Sequence, residues 1–268
     1  MQIEYEGRIL NINPEQLKKK IKLLGGYIKS PLTLYRRIVF NLGDIKRGFV
    51  RVRDEGEKIT MTSKIYKKDN LNFPEEHELT INNTFEQGQD FLRSLNLKEK
   101  AYHETIREKW TIPRNNKNYS KTKKHSTLNL NKYSNSQKHS KSQKYSNSHT
   151  KINKNKQLES QKELELCEVS IDYIPGLPVY AELECKSKSD LQLVCKLLDV
   201  KYNELSFGGY GKVYTEYYGM AENDINNVIP LLTFKNITNE LKPYLHKNHD
   251  ILNQIALSHL KIYKKIKK

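Results

Sequence analysis

Cysteine is scarce. The three present in 268 residues, Cys167, Cys185 and Cys195, show neither CxxC nor Cys/His spacing. That argues against a disulfide frame and a zinc site and fits reduced thiols in an intracellular protein. No apolar run reaches the roughly 18 residues of a membrane span. The polar stretch from Gln2 to Arg8 offers no signal peptide, so a cytoplasmic location is expected. A P-loop is also missing: Gly208-Gly209-Tyr210-Gly211-Lys212 lacks the Walker spacing and the following Ser/Thr, and reads as a turn before a helix. There is no Ser/His/Asp or Cys/His nucleophile set. The eight histidines show no metal spacing, and His125, His139 and His149 fall in a low-complexity segment.

Charge is abundant but unevenly spread. The net charge is +16. Residues Pro113 to Glu163 hold thirteen Lys/Arg against two Glu, and Lys235 to Lys268 hold eight Lys against one Glu and one Asp. The rest of the chain is close to neutral, so the basic excess belongs to an insert and a tail. The insert is rich in Asn, Lys, Ser, His and Gln, with repeats such as Tyr133-Ser134-Asn135-Ser136. So few apolar groups cannot offset ordering entropy, and 113–163 is expected to be disordered. Its polybasic character alone would give salt-dependent affinity for RNA.

Elsewhere the pattern alternates between periods of two and 3.6. Strands are expected at 2–11, 32–41, 47–54, 57–67, 75–82, 101–112, 165–174 and 178–186, with a hairpin turn at Asp54-Glu55-Gly56-Glu57. A helix follows the first strand, with Asn13 as N-cap, Pro14 at N1, Gln16 completing a capping-box pattern and Gly25-Gly26 as the stop. Further helices are expected at 85–96 behind Thr84, from Ser187 or Ser189, at 212–220, and from Asn223 onward. Antiparallel strands with helices after the first, fifth and eighth imply an α+β fold, a strongly curved sheet or barrel with helices outside.

Split by parity, these strands carry matched charge doublets on one face: Glu4/Glu6 with Arg8, Arg51/Arg53, Thr62/Lys64, Glu76/Glu78, Arg107/Lys109, Ser170/Asp172 and Glu182/Glu184. A wet sheet face alternates in this way without any function. Doublets of one sign repel, however, and their recurrence implies compensation. If the sheet closes, the charged face becomes an interior that must hold water, cations and an anionic ligand. Carboxylates suit Mg²⁺ or Mn²⁺, and guanidinium and ammonium groups suit phosphate oxygens. Glu168 shares this face but is expected to sit in solvent.

This pattern resembles the CYTH superfamily, the triphosphate tunnel metalloenzymes, whose hallmark is an N-terminal Glu-x-Glu-x-Lys. Glu4-Tyr5-Glu6-Gly7-Arg8 stands in that place. Arg51-Val52-Arg53, Lys64, Glu76-His77-Glu78, Arg107-Glu108-Lys109, Asp172 and Glu182-Leu183-Glu184 follow in order. The resemblance covers about 1–112 and 164–220, two halves of one tunnel domain, with 221–268 a helical basic extension. It implies an eight-stranded antiparallel β tunnel, a closed barrel with outer helices. By the same resemblance Glu4, Glu6, Glu182 and Glu184 bind Mg²⁺ or Mn²⁺. Arg8, Arg51, Arg53, Lys64, Arg107 and Lys212 grip a triphosphate, and Glu78 and Asp172 help bind metal or orient water. Arg8 replaces the hallmark Lys, and a guanidinium does not readily release a proton. The implied activity is metal-dependent hydrolysis of a triphosphate: inorganic, thiamine-linked, nucleotide or at an RNA 5′ end. A class IV type adenylyl cyclase and a non-catalytic polyphosphate- or RNA-binding module are the alternatives.

Overall fold

The computed structural model describes residues 5–43, 48–67, 70–114 and 165–267. Glu4 and nearly all of the 113–163 insertion lie outside the described residues.

Strand β1 (Tyr5–Ile9) leads into α1 (Pro14–Leu23), where the Asn13 side chain accepts the Gln16 N–H at 3.1 Å and satisfies one first-turn donor. A long meander follows: β2 (Tyr27–Asn41), β3 (Gly48–Asp54), β4 (Ile59–Lys67) and β5 (Asn70–Ile81). At the start of β3, Gly48 has φ +137°, and a Cβ there would strike the Lys64 carbonyl, so only glycine permits this strand approach. α2 (Phe85–Ser94) opens with a full capping box between Thr84 and Gln87. β6 (Glu99–Pro113), β7 (Glu165–Tyr173) and β8 (Tyr180–Cys185) complete the sheet, and α3 (Lys188–Leu198) starts at a Ser187 cap.

The sheet order is β1-β8-β7-β6-β2-β3-β4-β5, antiparallel along this path. Register shifts along β2 and β6 bend the sheet into a curl. The expected closed barrel is not formed: among the described residues β1 and β5 share no ladder, and the result is an open half-barrel. On the free edge of β1, Arg8 donates its backbone N–H to the Ser206 carbonyl at 2.9 Å and accepts the Ser206 N–H at 2.9 Å, so that edge is already taken at this position.

Helices cover the apolar face. Leu17, Ile21 and Leu24 from α1 and Leu191, Val194 and Leu198 from α3 bury against Ile106, Trp110, Val169, Ile171 and Leu183. Phe85 and Leu92 of α2 cover Ile38, Phe40 and Val52. Removing such surface from water drives the packing and leaves the other face to charge.

The stretch expected to be helical from Asn223 onward is helical in pieces, as Pro230 and Pro243 require. After α4 (Tyr210–Tyr218) come a π turn at Asp224–Val228, β9 (Leu231–Leu232), α5 (Ile237–Leu241) and α6 (His249–Ile266). β9 pairs in parallel with Tyr102 and His103 of β6, beyond the point where β7 ends. Ile225, Ile229, Leu232, Ile237, Leu241 and Leu252 share a core with Leu177, Tyr180, Tyr214 and Tyr218, which ties this region to the sheet. Among the described residues no helix is long and apolar enough to cross a membrane.

Candidate active site

The concave face encloses a cavity of about 1540 Å³ whose lining is mostly charged. Register sets the rows. Glu6 lies opposite Glu184, and Glu184 opposite Glu168; Arg8 lies opposite Glu182, and Arg107 opposite Asp172. Like charges facing across strands destabilise a sheet unless compensated. Here cations from neighbouring strands interleave with the acids.

Arg8 is 6% exposed and engages both terminal nitrogens. Nη2 sits 2.6 Å from Glu182 Oε2 and 3.4 Å from Glu6 Oε1, and Nη1 donates to the Gly208 carbonyl. Burial opposes its charge, but Glu182 and Glu6 more than offset that and hold the guanidinium above its ordinary value. Burial would likewise raise Glu182, yet Arg8 and Arg107 keep its carboxyl well below the usual range. Glu6 behaves oppositely: burial, and then the nearby Glu182, raise it. Arg8 draws Glu6 and Glu182 to one nitrogen, and such paired carboxylates are oxygen donors of the kind a hard divalent cation takes. Among the described residues, however, no three His, Cys, Asp or Glu side chains are already gathered to hold one.

Arg51 meets Glu76 at 3.1 Å and Glu78 at 3.8 Å, Arg53 pairs with Glu55 and with Glu78 at 3.4 Å, and Lys64 meets Glu76 at 2.6 Å. Glu78 also accepts from the Thr62 hydroxyl at 2.9 Å. Burial, aggravated by Arg53 and Arg37, pushes Arg51 down to about 9 despite Glu76 and Glu78. The Nε atoms of Arg8, Arg51 and Arg53 are all buried without a hydrogen-bond partner. Such orphaned donors are costly and ask for an acceptor.

The expected residues separate by depth. Glu6, Arg8, Arg51, Arg53, Lys64, Glu78, Arg107, Glu182, Glu184 and Lys212 line the cavity, Lys212 from α4 with its side chain 46% exposed. Asp172 does not. It is fully buried, and its two oxygens accept from Nε and Nη2 of Arg107 at 2.6 Å each, which places it as an anchor beneath that guanidinium. Glu168 was expected in solvent, but its carboxylate is drawn into the lining by Lys109 at 2.8 Å and by Lys29. Burial would raise its pKa, and the two lysines instead hold it down to about 2.

Sequence reasoning placed a strand at 32–41 but missed the cavity-facing side chains of β2. Tyr35 and Arg37 face the cavity beside His103 of β6, Tyr210 of α4 and Glu55 from the β3–β4 turn. The signal was available, because Ile38 and Phe40 alternate with Tyr35, Arg37 and Val39, but the tandem Arg36-Arg37 blurs the parity. Arg36 in fact turns away to Asp54 at 2.6 Å.

No family model matches the sequence, and no curated protein matches it. Solved structures do. The chain is similar to a candidate adenylate cyclase from Vibrio parahaemolyticus, with 8% identity and a TM-score of 0.51 over 80% of this chain and 98% of that one. It is similar to a candidate adenylyl cyclase from Hippeastrum described as having a dominant triphosphatase activity, with 13% identity and a TM-score of 0.40 over 80% and 94%. A conserved hypothetical protein from Pyrococcus furiosus aligns at 14% identity and a TM-score of 0.46, over 76% and 94%. At these identities the likeness is one of fold.

Proposed function

We propose that this chain, which has the fold of the CYTH superfamily, is a metal-dependent triphosphatase in which water displaces the terminal phosphate of a triphosphate substrate. The observation that carries this reading is the trio of arginines Arg8, Arg51 and Arg53, each with a buried, unpartnered Nε on one charged cavity. A polyphosphate chain supplies many acceptor oxygens at short spacing, and guanidinium groups bind them bidentately.

Arg8, Arg51, Arg53, Lys64 and Arg107 grip the phosphates, with Lys212 contributing from the cavity mouth. Asp172 is a positioning residue that fixes the plane of Arg107. Glu78, held by the Thr62 hydroxyl, is placed to orient the attacking water. Glu6, Glu182 and Glu184, with Glu4 from outside the described residues, would hold Mg²⁺ or Mn²⁺; the crowding of Glu6 against Glu182 fits that role. When bound, such an ion would neutralise phosphate charge and polarise the phosphoryl group.

Binding exchanges partners rather than creating charge. Phosphate oxygens replace carboxylates at Arg51, Arg53 and Lys64; Glu76 gives up its contacts with Arg51 and Lys64, while Glu78 stays on the Thr62 hydroxyl. A cyclase would use the same grip with a ribose hydroxyl as nucleophile, and nothing in the described cavity favours it. Turnover of tripolyphosphate with Mg²⁺ tests the reading. Arg53→Met should lower kcat/KM by about tenfold or more, on the order of 1.4 kcal/mol or above. An unchanged kcat/KM would remove Arg53 from the grip.

A further inference from the structure

One end of the cavity carries positive charge that the triphosphate grip does not use. Arg37 on β2 lies opposite Arg53 on one side and opposite His103 on the other. Its Nε contacts His103 Nδ1 at 3.2 Å, and its guanidinium carbon lies 4.7 Å from the centroid of the Tyr210 ring. The Tyr210 hydroxyl reaches the same His103 nitrogen at 2.8 Å, so the three side chains form one rigid unit. Arg8, Arg51, Arg53 and Arg107 each pair with at least one carboxylate. Arg37 forms no ion pair with any described acid, and neither does Lys100, which lines the same end.

Three further features concern the same spot. Burial, with Arg37 and Lys100 adding to it, holds the His103 ring well below its ordinary value, so both cations lie close to it. The nine-residue helix α4 begins here at Tyr210 behind Gly208 and Gly209, with no side-chain cap and no acid in its first turn. Its leading N–H groups and dipole favour an anion. Arg51 of the grip, 7% exposed, lies within electrostatic reach of Arg37, lines the same cavity and has a buried Nε without a hydrogen-bond partner.

We propose that Arg37, Lys100 and the N-terminus of α4 form a further anion subsite continuous with the grip. It takes one additional linked phosphate, so that the preferred ligand carries four phosphates in a row. This rests on the triphosphate reading and extends it. The fourth phosphate could belong to an inorganic chain or to a nucleoside tetraphosphate, and the chemistry of the subsite is the same for both.

The test is isothermal titration of the full chain, with Mg²⁺, against tripolyphosphate and tetrapolyphosphate and, in a second arm, ATP and adenosine 5′-tetraphosphate. In at least one arm the four-phosphate ligand should bind about tenfold tighter than its three-phosphate counterpart, and the arm showing the gain identifies the source. Arg37→Met and Lys100→Met should each cut that ratio below about threefold. Lys100 is half-exposed on β6, so its variant carries the test should Arg37→Met fail to fold. Tripolyphosphate binding with a ratio near one in both arms, or a ratio that survives Lys100→Met, overturns the subsite and leaves the grip standing. Absence of binding by all four ligands overturns the triphosphate reading itself.

Discussion

Replacing Asp172 by Leu should destabilise the ligand-free protein by about 3–5 kcal/mol, the cost of leaving a buried charge without its partner. Asp172 has no exposed surface, and both its oxygens take Arg107 at 2.6 Å, Glu182 lying farther at 3.4 Å. Burial opposes the Arg107 charge, and Asp172, followed by Glu182, holds the guanidinium well above its ordinary value. Asp172→Leu leaves that charge with one distant carboxylate. Pairing it with Arg107→Met removes both charges, and apolar groups of similar volume should restore most of the loss. The assay is urea unfolding of the wild type, both single variants and the double variant, with the coupling energy read from the cycle. Saturating tripolyphosphate should then add stability to the wild type, about 2.7 kcal/mol at a hundred times Kd. It should add at least as much to Asp172→Leu, because a phosphate can take the place of the missing carboxylate. A single-variant loss below about 1 kcal/mol would refute the reasoning, since the pair would then behave as a screened surface contact.

Glu184→Gln should lower metal-dependent turnover by about a hundredfold or more while leaving the thermal midpoint within a few degrees, given that even outer-shell groups cost tenfold to a hundredfold; full activity would remove Glu184 from the metal set. Arg8→Lys should cost about 1–3 kcal/mol, because an ammonium cannot satisfy Gly208, Glu182 and Glu6 together; denaturant midpoints check this. Burial lowers His259 to about 4, between the rings of Tyr173 and Phe234. The unfolded chain therefore binds the proton first as pH falls below about 6.5, and stability drops between there and pH 4 by about 3 kcal/mol at this site. His259→Phe should flatten that part of the stability curve, and an unaltered slope would contradict the assignment.

Much of the site could be read from residue order, because strand parity is a property of the backbone. Once Glu6-x-Arg8, Arg51-x-Arg53 and Glu182-x-Glu184 are placed on strands, each pair must share a face. Helix starts were equally local: Asn13 with Gln16, Thr84 with Gln87, Ser187 with Asp190. What parity cannot supply is depth and edge. Asp172 shares a face with Ser170, yet Arg107 covers it, a fact decided by the neighbouring strand. Nor can parity supply the docking of Ser206 on the free edge of β1 at Arg8, a contact spanning nearly two hundred residues. The charge-bearing face of β2 was hidden because adjacent arginines give both faces a cation, and only Asp54 shows which one points away.

The most direct test of the central claim is product analysis: the full chain with Mg²⁺ or Mn²⁺ against tripolyphosphate, ATP, thiamine triphosphate and 5′-triphosphorylated RNA. The account predicts orthophosphate release that disappears in Glu184→Gln, with the preferred substrate named by rate. Cyclic AMP and pyrophosphate from ATP, or no product from any of the four despite tight binding, would contradict it.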